Sequence, residues 1–439
     1  MNVLIFGLGM RGGGLASALY FLQNNDSVRV TDIKTADTFG KAIERLEERG
    51  CVCILGQHRK EDFLWADLVV KNPAISPDNP LLKYCKKVTN DLGYLFLHNY
   101  LQKIKIIAIT GTKGKTTTSA AMSHVLKLNN HDVLQCGNMG ISAFSLISLL
   151  QKRRSKGKAD PEYLIIEFSS WQIRDTLIAT GGRLPHFHLT IITNLMRDHQ
   201  NFYANMQDYL SDKMGIFQAE TGHAIVPKDL KKKVLQATGM KKKNVSTPDG
   251  KIPAQLASRP ELIIAYRALC YLGLDSHIIT EQLLTFKGVP HRIEWLGMKN
   301  NVAFVNDSAA TIPEAVTFTI EHFSEKVVHL ITGGTDKNLE AEGMLSALKT
   351  AATVSLLEGS FTKNKLIPLL EDNQIAYLGP FSSMKKAAKS CYDRAENNAR
   401  QTKMSQILLL SPGAASFDLF NNEFDRGNQF KAFYNSLNG

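Results

Sequence analysis

A chain of 439 residues, 44% hydrophobic and with a formal net charge of +11, is too long for one ordinary core; at about 100–200 residues per domain it reads as three globular units. Six cysteines (51, 53, 85, 136, 270 and 391) form no C-x-x-C pair, and no run of 18 apolar residues occurs, which excludes a disulfide scaffold and a helical membrane span. The chain opens directly on a strand, so a cytoplasmic protein with reduced thiols is expected. Its basic residues cluster only briefly, at 152–158, 231–233 and 241–243, without interleaved aromatics. These clusters read as solvated loops, with no nucleic-acid partner and no membrane insertion.

In chain order, residues 1–93 alternate apolar runs (Val3–Phe6, Val28–Val30, Cys51–Leu55, Leu68–Val70) with helical stretches at Leu15–Gln23 and Phe39–Arg49, a parallel α/β layout. Gly7-Leu8-Gly9-Met10-Arg11-Gly12 follows the first run, and Asp32 ends the second, 20 residues after Gly12. Glycines so placed let a pyrophosphate sit at a helix N-terminus while the acid meets a ribose or base, whether of NAD or of another nucleotide diphosphate.

Residues 94–298 begin a second series, with strands from Ile104 and at Asp132–Gln135, Tyr163–Phe168 and Leu189–Thr193, and an amphipathic helix over Met206–Phe217. Its first strand runs into Gly111-Thr112-Lys113-Gly114-Lys115-Thr116-Thr117. Ile109 stands where the full phosphate-loop pattern has its first glycine, leaving G-x-x-G-K-T. The strand before and helix after still make a triphosphate cradle, in which Lys115 can reach the β/γ oxygens and Thr116 can ligate Mg²⁺. Glu167, at a strand's carboxyl end, and Asp198-His199, after the next strand, offer ligands to the same metal, and Lys213 lies on a helix facing them.

Residues 299–439 form a third series, with strands at Val302–Val305, Val327–Thr332, Thr353–Leu357 and Ile407–Leu410. His291-Arg292 and Asn306-Asp307-Ser308 bracket its first strand and offer a cation and a carboxylate to an adenosine phosphate and ribose. Gly333-Gly334-Thr335-Asp336-Lys337 and Ser411-Pro412-Gly413-Ala414-Ala415-Ser416-Phe417-Asp418 also follow apolar strands, and Lys337 and Ser416 could meet the carboxylates of a small acidic substrate.

The motif order is G-T-K-G-K-T-T, G-N-M-G at 137–140, E-F-S-S at 167–170, D-H at 198–199, H-R at 291–292, N-D-S-x-x-T at 306–311 and S-P-x-x-A-S-F-D at 411–418. With the glycine-rich N-terminal unit, it resembles the Mur ligase family from Gly7 to Gly427. The resemblance implies a three-domain α/β fold: a Rossmann-like UDP-binding domain, a central P-loop ATPase-like domain and a C-terminal Rossmann-like domain. It also implies a monomeric ATP-dependent acid–amino-acid ligase of peptidoglycan-precursor synthesis, acting through an acyl phosphate and joining D-glutamate to UDP-N-acetylmuramoyl-L-alanine. Another amide ligase of the superfamily, such as one extending folate, is the alternative, but it would lack the N-terminal glycine-rich unit.

By the same resemblance, Gly9, Met10 and Arg11 would lie near the diphosphate, Asp32 and Lys34 near the uridine, and Asn72 on the same substrate. Gly111, Thr112, Lys113, Gly114, Lys115, Thr116 and Thr117 would surround ATP, which Arg292 and Asp307 would grip from the third domain. Two Mg²⁺ ions would be held by Thr116, Glu167, His199 and a carbamylated Lys213; Lys115, Glu167, His199 and Lys213 would carry the chemistry. Asn138, Ser169, Gln172 and His199 would serve the muramoyl substrate; Thr311, Lys337 and Ser416 would receive D-glutamate, and Phe424 would touch substrate. The chain departs from the family in three places, one being the C-terminal aromatic Phe424, which stands one position from where the family carries it and so puts its expected substrate contact in question. Ala309 stands where N-D-S-K-A-T has lysine, and a G-x-H-N-x-x-N helix start has no counterpart at 254–260, so altered nucleotide handling is expected.

Overall fold

The computed structural model describes residues 1–9, 12–138, 141–195, 206–256, 260–336 and 339–437. The chain forms two compact units, Met1–Phe286 and Lys287–Gly439.

The first unit holds two parallel sheets. One contains β1 (Asn2–Phe6), β2 (Ser27–Asp32), β3 (Val52–Leu55), β4 (Leu68–Lys71) and β5 (Val88–Thr89), in the order β3-β2-β1-β4-β5. The other contains β6 (Lys105–Thr110), β7 (Val133–Gly137), β8 (Tyr163–Glu167), β9 (Phe187–Ile192), β10 (Thr221–Ile225) and β11 (Val245–Ser246), in the order β11-β10-β9-β6-β8-β7. The continuous apolar run of β6 is buried on both faces, as a central parallel strand requires. Its register sets Ile109 level with Glu167 of β8 and Thr110 level with Ile192 of β9, so three carboxyl ends meet at one edge.

The two sheets share a core. Tyr20, Phe21, Tyr94 and Phe144 stack edge-on or tilted with centroids 5.0–5.9 Å apart. Helix Asp91–Leu97 lies so close to helix Ser170–Thr180 that a Cβ on Gly93 would stand 2.7 Å from that of Ala179. A buried ion pair adds to this seam: Lys71 at the end of β4 reaches Asp175 at 2.7 Å. Residue 93, the expected domain limit, thus falls inside a packed helix.

The second unit holds β12 (Glu294–Lys299), β13 (Val302–Asn306), β14 (Val327–Thr332), β15 (Thr353–Leu357), β16 (Leu378–Phe381) and β17 (Gln406–Leu410), in the order β12-β13-β17-β14-β15-β16. Five of these strands are parallel, but β12 pairs antiparallel with β13. Residue 298, the other expected limit, lies within β12. Asn300 and Asn301, at φ 48° and 63°, make the two-residue turn of this hairpin. His291-Arg292 and Asn306-Asp307 therefore flank a hairpin, not a single strand, and Glu294 is set opposite Asn306. Apolar clusters cover both sheet faces, one around Val305, Leu330 and Leu409 and the other around Phe304, Leu408 and Phe430. Sequence periodicity misses β5, β11 and β16, which are short, and β10 and β12, which are largely half-exposed. The expected Met206–Phe217 helix is α-helical only to Met214 and then tightens into a 3₁₀ turn.

Candidate active site

At the end of β6 the chain turns through Gly111 (φ 140°) and Gly114 (φ 79°) into helix Lys115–Leu128. A Cβ at Gly111 would overlap the Thr193 hydroxyl, and Gly114 occupies the helix N-cap, so the N-cap residue itself brings no capping side chain. That opening is the backbone geometry that accepts a phosphate at a helix N-terminus. The residues after β9 clamp the loop. Thr193 donates its hydroxyl to the Lys113 carbonyl (2.6 Å), and the Asn194 amide oxygen accepts from Lys113 N–H (2.9 Å). The Asn194 carbonyl accepts from Thr112 N–H (3.1 Å), and the Tyr209 hydroxyl lies 3.0 Å from that of Thr112. Thr193, Asn194 and Tyr209 were not singled out from sequence; the apolar strand leading into Thr193 was the available signal.

Two amines converge on this loop. Lys115 donates to the carbonyls of Gly111 (2.8 Å) and Thr112 (3.0 Å). Lys213, 2% exposed, donates to the same Gly111 carbonyl (2.9 Å) and stands 4.6 Å from the Tyr209 ring centroid. Opposite them, Glu167 Oε1 accepts from the Thr116 hydroxyl (3.1 Å) and the Asn138 amide (3.0 Å). Glu167 Oε2 is buried and has no hydrogen-bond partner among the described residues. A carboxyl oxygen so placed beside a hydroxyl suits a hard divalent cation. Gly137 permits the approach: a Cβ there would collide with the Glu167 carbonyl, and Asn138 N–H donates to that carbonyl at 2.8 Å. Thr117 is half-buried in the first helical turn.

Other expected groups have structural work of their own. Ser169 and Gln172 form a capping box on helix Ser170–Thr180, each side chain bonded to the other's N–H at 3.2 and 3.0 Å. Asp32 Oδ2 accepts from Leu8 N–H (2.8 Å) and Gly9 N–H (3.5 Å), and its Oδ1 accepts from Lys34 N–H (3.0 Å). The acid thus holds the glycine-rich turn, while Lys34 is exposed. Asn72, just past β4, lies against that turn, its Nδ2 2.5 Å from where a Gly9 Cβ would be. Met10, Arg11, His199 and Lys337 lie outside the described residues.

In the second unit, the loops after β13, β14 and β17 are knitted together. Thr335 and Ala415 exchange backbone hydrogen bonds (3.0 and 3.1 Å), and Gly413 N–H donates to the Ala310 carbonyl (2.9 Å). Asp307 accepts from Ile293 N–H (3.2 Å) and from the hydroxyls of Thr319 (2.6 Å) and Ser411 (3.1 Å); burial raises its carboxyl to about 6. Arg292 is half-buried two residues ahead of β12. Arg426, which the sequence reading assigned no role, is fully buried. Its guanidinium spans the Ser308 hydroxyl and carbonyl and the carbonyls of Ala414 and Ala415 at 2.9–3.1 Å, and burial lowers its pKa to about 9. Ser416 is buried, Thr311 half-buried, and Phe424 half-exposed and edge-on to His291.

Comparison with known proteins agrees with this arrangement. A family model described as the Mur ligase middle domain matches residues 109–258, and one described as the MurD-like N-terminal domain of Mur ligases matches residues 1–91. The chain is 33% identical to the UDP-N-acetylmuramoylalanine–D-glutamate ligase of Borreliella afzelii, over all of this chain and 98% of that protein. It is 28% identical to the ligase of the same name from Treponema pallidum, over 98% of this chain and 97% of that one. The fold is similar to that of a UDP-N-acetylmuramate–alanine ligase from Thermotoga maritima, with a TM-score of 0.56 at 18% identity over 99% of each chain. With such a relative matched from end to end, the chain belongs to the Mur ligases, among their UDP-N-acetylmuramoylalanine–D-glutamate ligases.

Proposed function

We propose that the chain joins D-glutamate to UDP-N-acetylmuramoyl-L-alanine with hydrolysis of ATP, as a cytoplasmic monomer in peptidoglycan-precursor synthesis. A carboxylate is a poor electrophile and needs a leaving group. Its oxygen attacks the γ-phosphorus of ATP, the bond to ADP breaks, and an acyl phosphate forms. The D-glutamate amine then adds to the acyl carbon and loses a proton, and the tetrahedral intermediate collapses to the amide with release of phosphate.

The observation that carries this reading is the meeting of Lys115, Thr116 and a Glu167 oxygen that has no partner among the described residues, around a helix N-terminus whose N-cap is a glycine. In this reading Lys115 draws the β/γ-phosphate oxygens, and Gly111 through Thr117 cradle them. Thr116 and Glu167 would hold one Mg²⁺, and His199 with a carbamylated Lys213 a second; the ions would supply positive charge between the reacting anions. Carbamylation would replace the buried Lys213 cation with a carboxylate. Gly9, Met10, Arg11 and Asn72 would take the UDP end; Asn138 would take the muramoyl part. Arg292 and Asp307 would take ATP, and Thr311, Lys337, Ser416 and Phe424 the amino acid.

The test is ADP release with ATP, Mg²⁺ and UDP-N-acetylmuramoyl-L-alanine, comparing D-glutamate, L-glutamate and no amino acid. Release that depends on D-glutamate is expected; equal release with L-glutamate would overturn the assignment. The carbamate has its own check: Lys213→Ala should be inactive and regain turnover with short carboxylic acids, and full activity without them would remove that role.

A further inference from the structure

More than half of the chain's net charge is gathered in one short segment. Residues 228–251 contain Lys228, the runs 231–233 and 241–243, and Lys251, against only Asp229 and Asp249, a net +6 out of +11. Seven of these eight lysines are exposed and the eighth, Lys231, is half-buried. The fold sets helix Lys228–Thr238 against β11 and the Lys242–Asn244 turn beside β10 and β11, at one border of the second sheet. Helix Lys228–Thr238 turns Leu230 and Val234 inward, at 2% and 0% exposure, which leaves Lys232 and Lys233 facing water. The Lys242–Asn244 turn then leads into β11, the edge strand.

This border is not the phosphate loop. β10 and β9 lie between β11 and β6, which at about 4.8 Å per strand sets the edge roughly 14 Å to the side. The composition also points to a particular kind of anion. The segment has no arginine and no aromatic residue, the groups that grip phosphates bidentately and stack on bases. Lysines are point charges on flexible stems, suited to a surface whose anions rearrange to meet them, and each basic residue near an anionic bilayer adds favourable energy without fixed geometry. Among the described residues no helix is long and apolar enough to cross a membrane, so contact of this kind would be peripheral.

We propose that the face formed by residues 228–251 docks the enzyme on an anionic phospholipid surface by charge alone. The test uses the full chain with vesicles containing phosphatidylglycerol, with phosphatidylcholine vesicles and a homopolymeric RNA as comparisons. Binding to the phosphatidylglycerol vesicles is expected, abolished by high salt and reduced at least about tenfold in K231Q/K232Q/K233Q/K241Q/K242Q/K243Q, with ADP release in solution unchanged. If the sixfold variant folds poorly, K241Q/K242Q/K243Q, confined to a surface turn, should still weaken binding several-fold. No binding by the unmodified enzyme, equal binding to neutral vesicles, equal binding by the variants, or RNA bound while vesicles are left free would each overturn the proposal.

Discussion

At the scale of single residues, the phosphate loop depends on a few groups whose alternatives are closed off. Lys115 donates to the Gly111 and Thr112 carbonyls from the first turn of its helix, so Lys115→Ala removes the cation from the loop. ADP release should fall at least about 100-fold, the order seen when one preorganised charge-stabilising donor is removed. Glu167→Gln keeps an acceptor for Thr116 and Asn138 but loses the charge on the partner-free oxygen. A Mg²⁺ titration of activity should therefore shift to higher concentration, and an unchanged half-saturating concentration would remove Glu167 from the metal site. Gly111→Ala forces a side chain into φ 140° and onto Thr193; urea unfolding should register a loss of at least about 1–3 kcal/mol from the backbone alone.

At the scale of elements, much of the polar chemistry positions loops, and Arg426 is the clearest case. One guanidinium ties the Ser308 turn after β13 to the Ala414–Ala415 turn after β17. Lysine cannot span those acceptors, so Arg426→Lys should destabilise the second unit by about 2–4 kcal/mol, at about 1–3 kcal/mol per buried group left unpaired. Asp307 holds the same loops and is neutralised more easily when folded, its pKa lying near 6 against an ordinary 3.8. The folded state thus binds the proton more tightly than the unfolded chain. Stability from this source is complete below about pH 4 and lost as pH rises through about 6, at most about 3 kcal/mol. Unfolding followed between those values should show that decline, and Asp307→Asn, which stays neutral, should flatten it.

At the scale of the whole molecule, residues 1–286 and 287–439 each have their own sheets and apolar cores. Calorimetry without ligand should resolve two transitions. ATP with Mg²⁺ should raise the one belonging to the phosphate-loop unit, by about 2.7 kcal/mol at a hundredfold excess over the dissociation constant. A single ligand-insensitive transition would contradict this. Within the first unit the two sheets should melt together, because Tyr20, Phe21, Tyr94 and Phe144 form one cluster and Lys71–Asp175 bridges β4 to the helix after β8.

Sequence by itself determined the α/β class, the order of the three series and the phosphate loop. Each of these is written in contiguous residues: an apolar β-branched run, glycines where the backbone must turn tightly, and a lysine and threonine at the helix start. It also offered Glu167, an acid at the end of β8, as a ligand beside that loop, whereas Lys213, on helix Met206–Met214 after β9, could be told from a solvated helix lysine only by the fold, which sets it on the Gly111 carbonyl. Only the tertiary structure decided what each polar group does there. Asp32 and Asp307 carry side chains suited to ligands, yet each accepts bonds from groups brought near by the fold, and no local pattern reports whether an acceptor is already taken; Ser169 and Gln172 instead form a capping box that their S-x-x-Q spacing writes locally. Thr193, Tyr209 and Arg426 act on loops up to 118 residues away in the chain, a distance across which periodicity holds no information. The lysine-rich border was legible as a run of charge, but which way its helix faces came from the burial of Leu230 and Val234, and the place of the 241–243 turn from the pairing of β11 at the sheet edge.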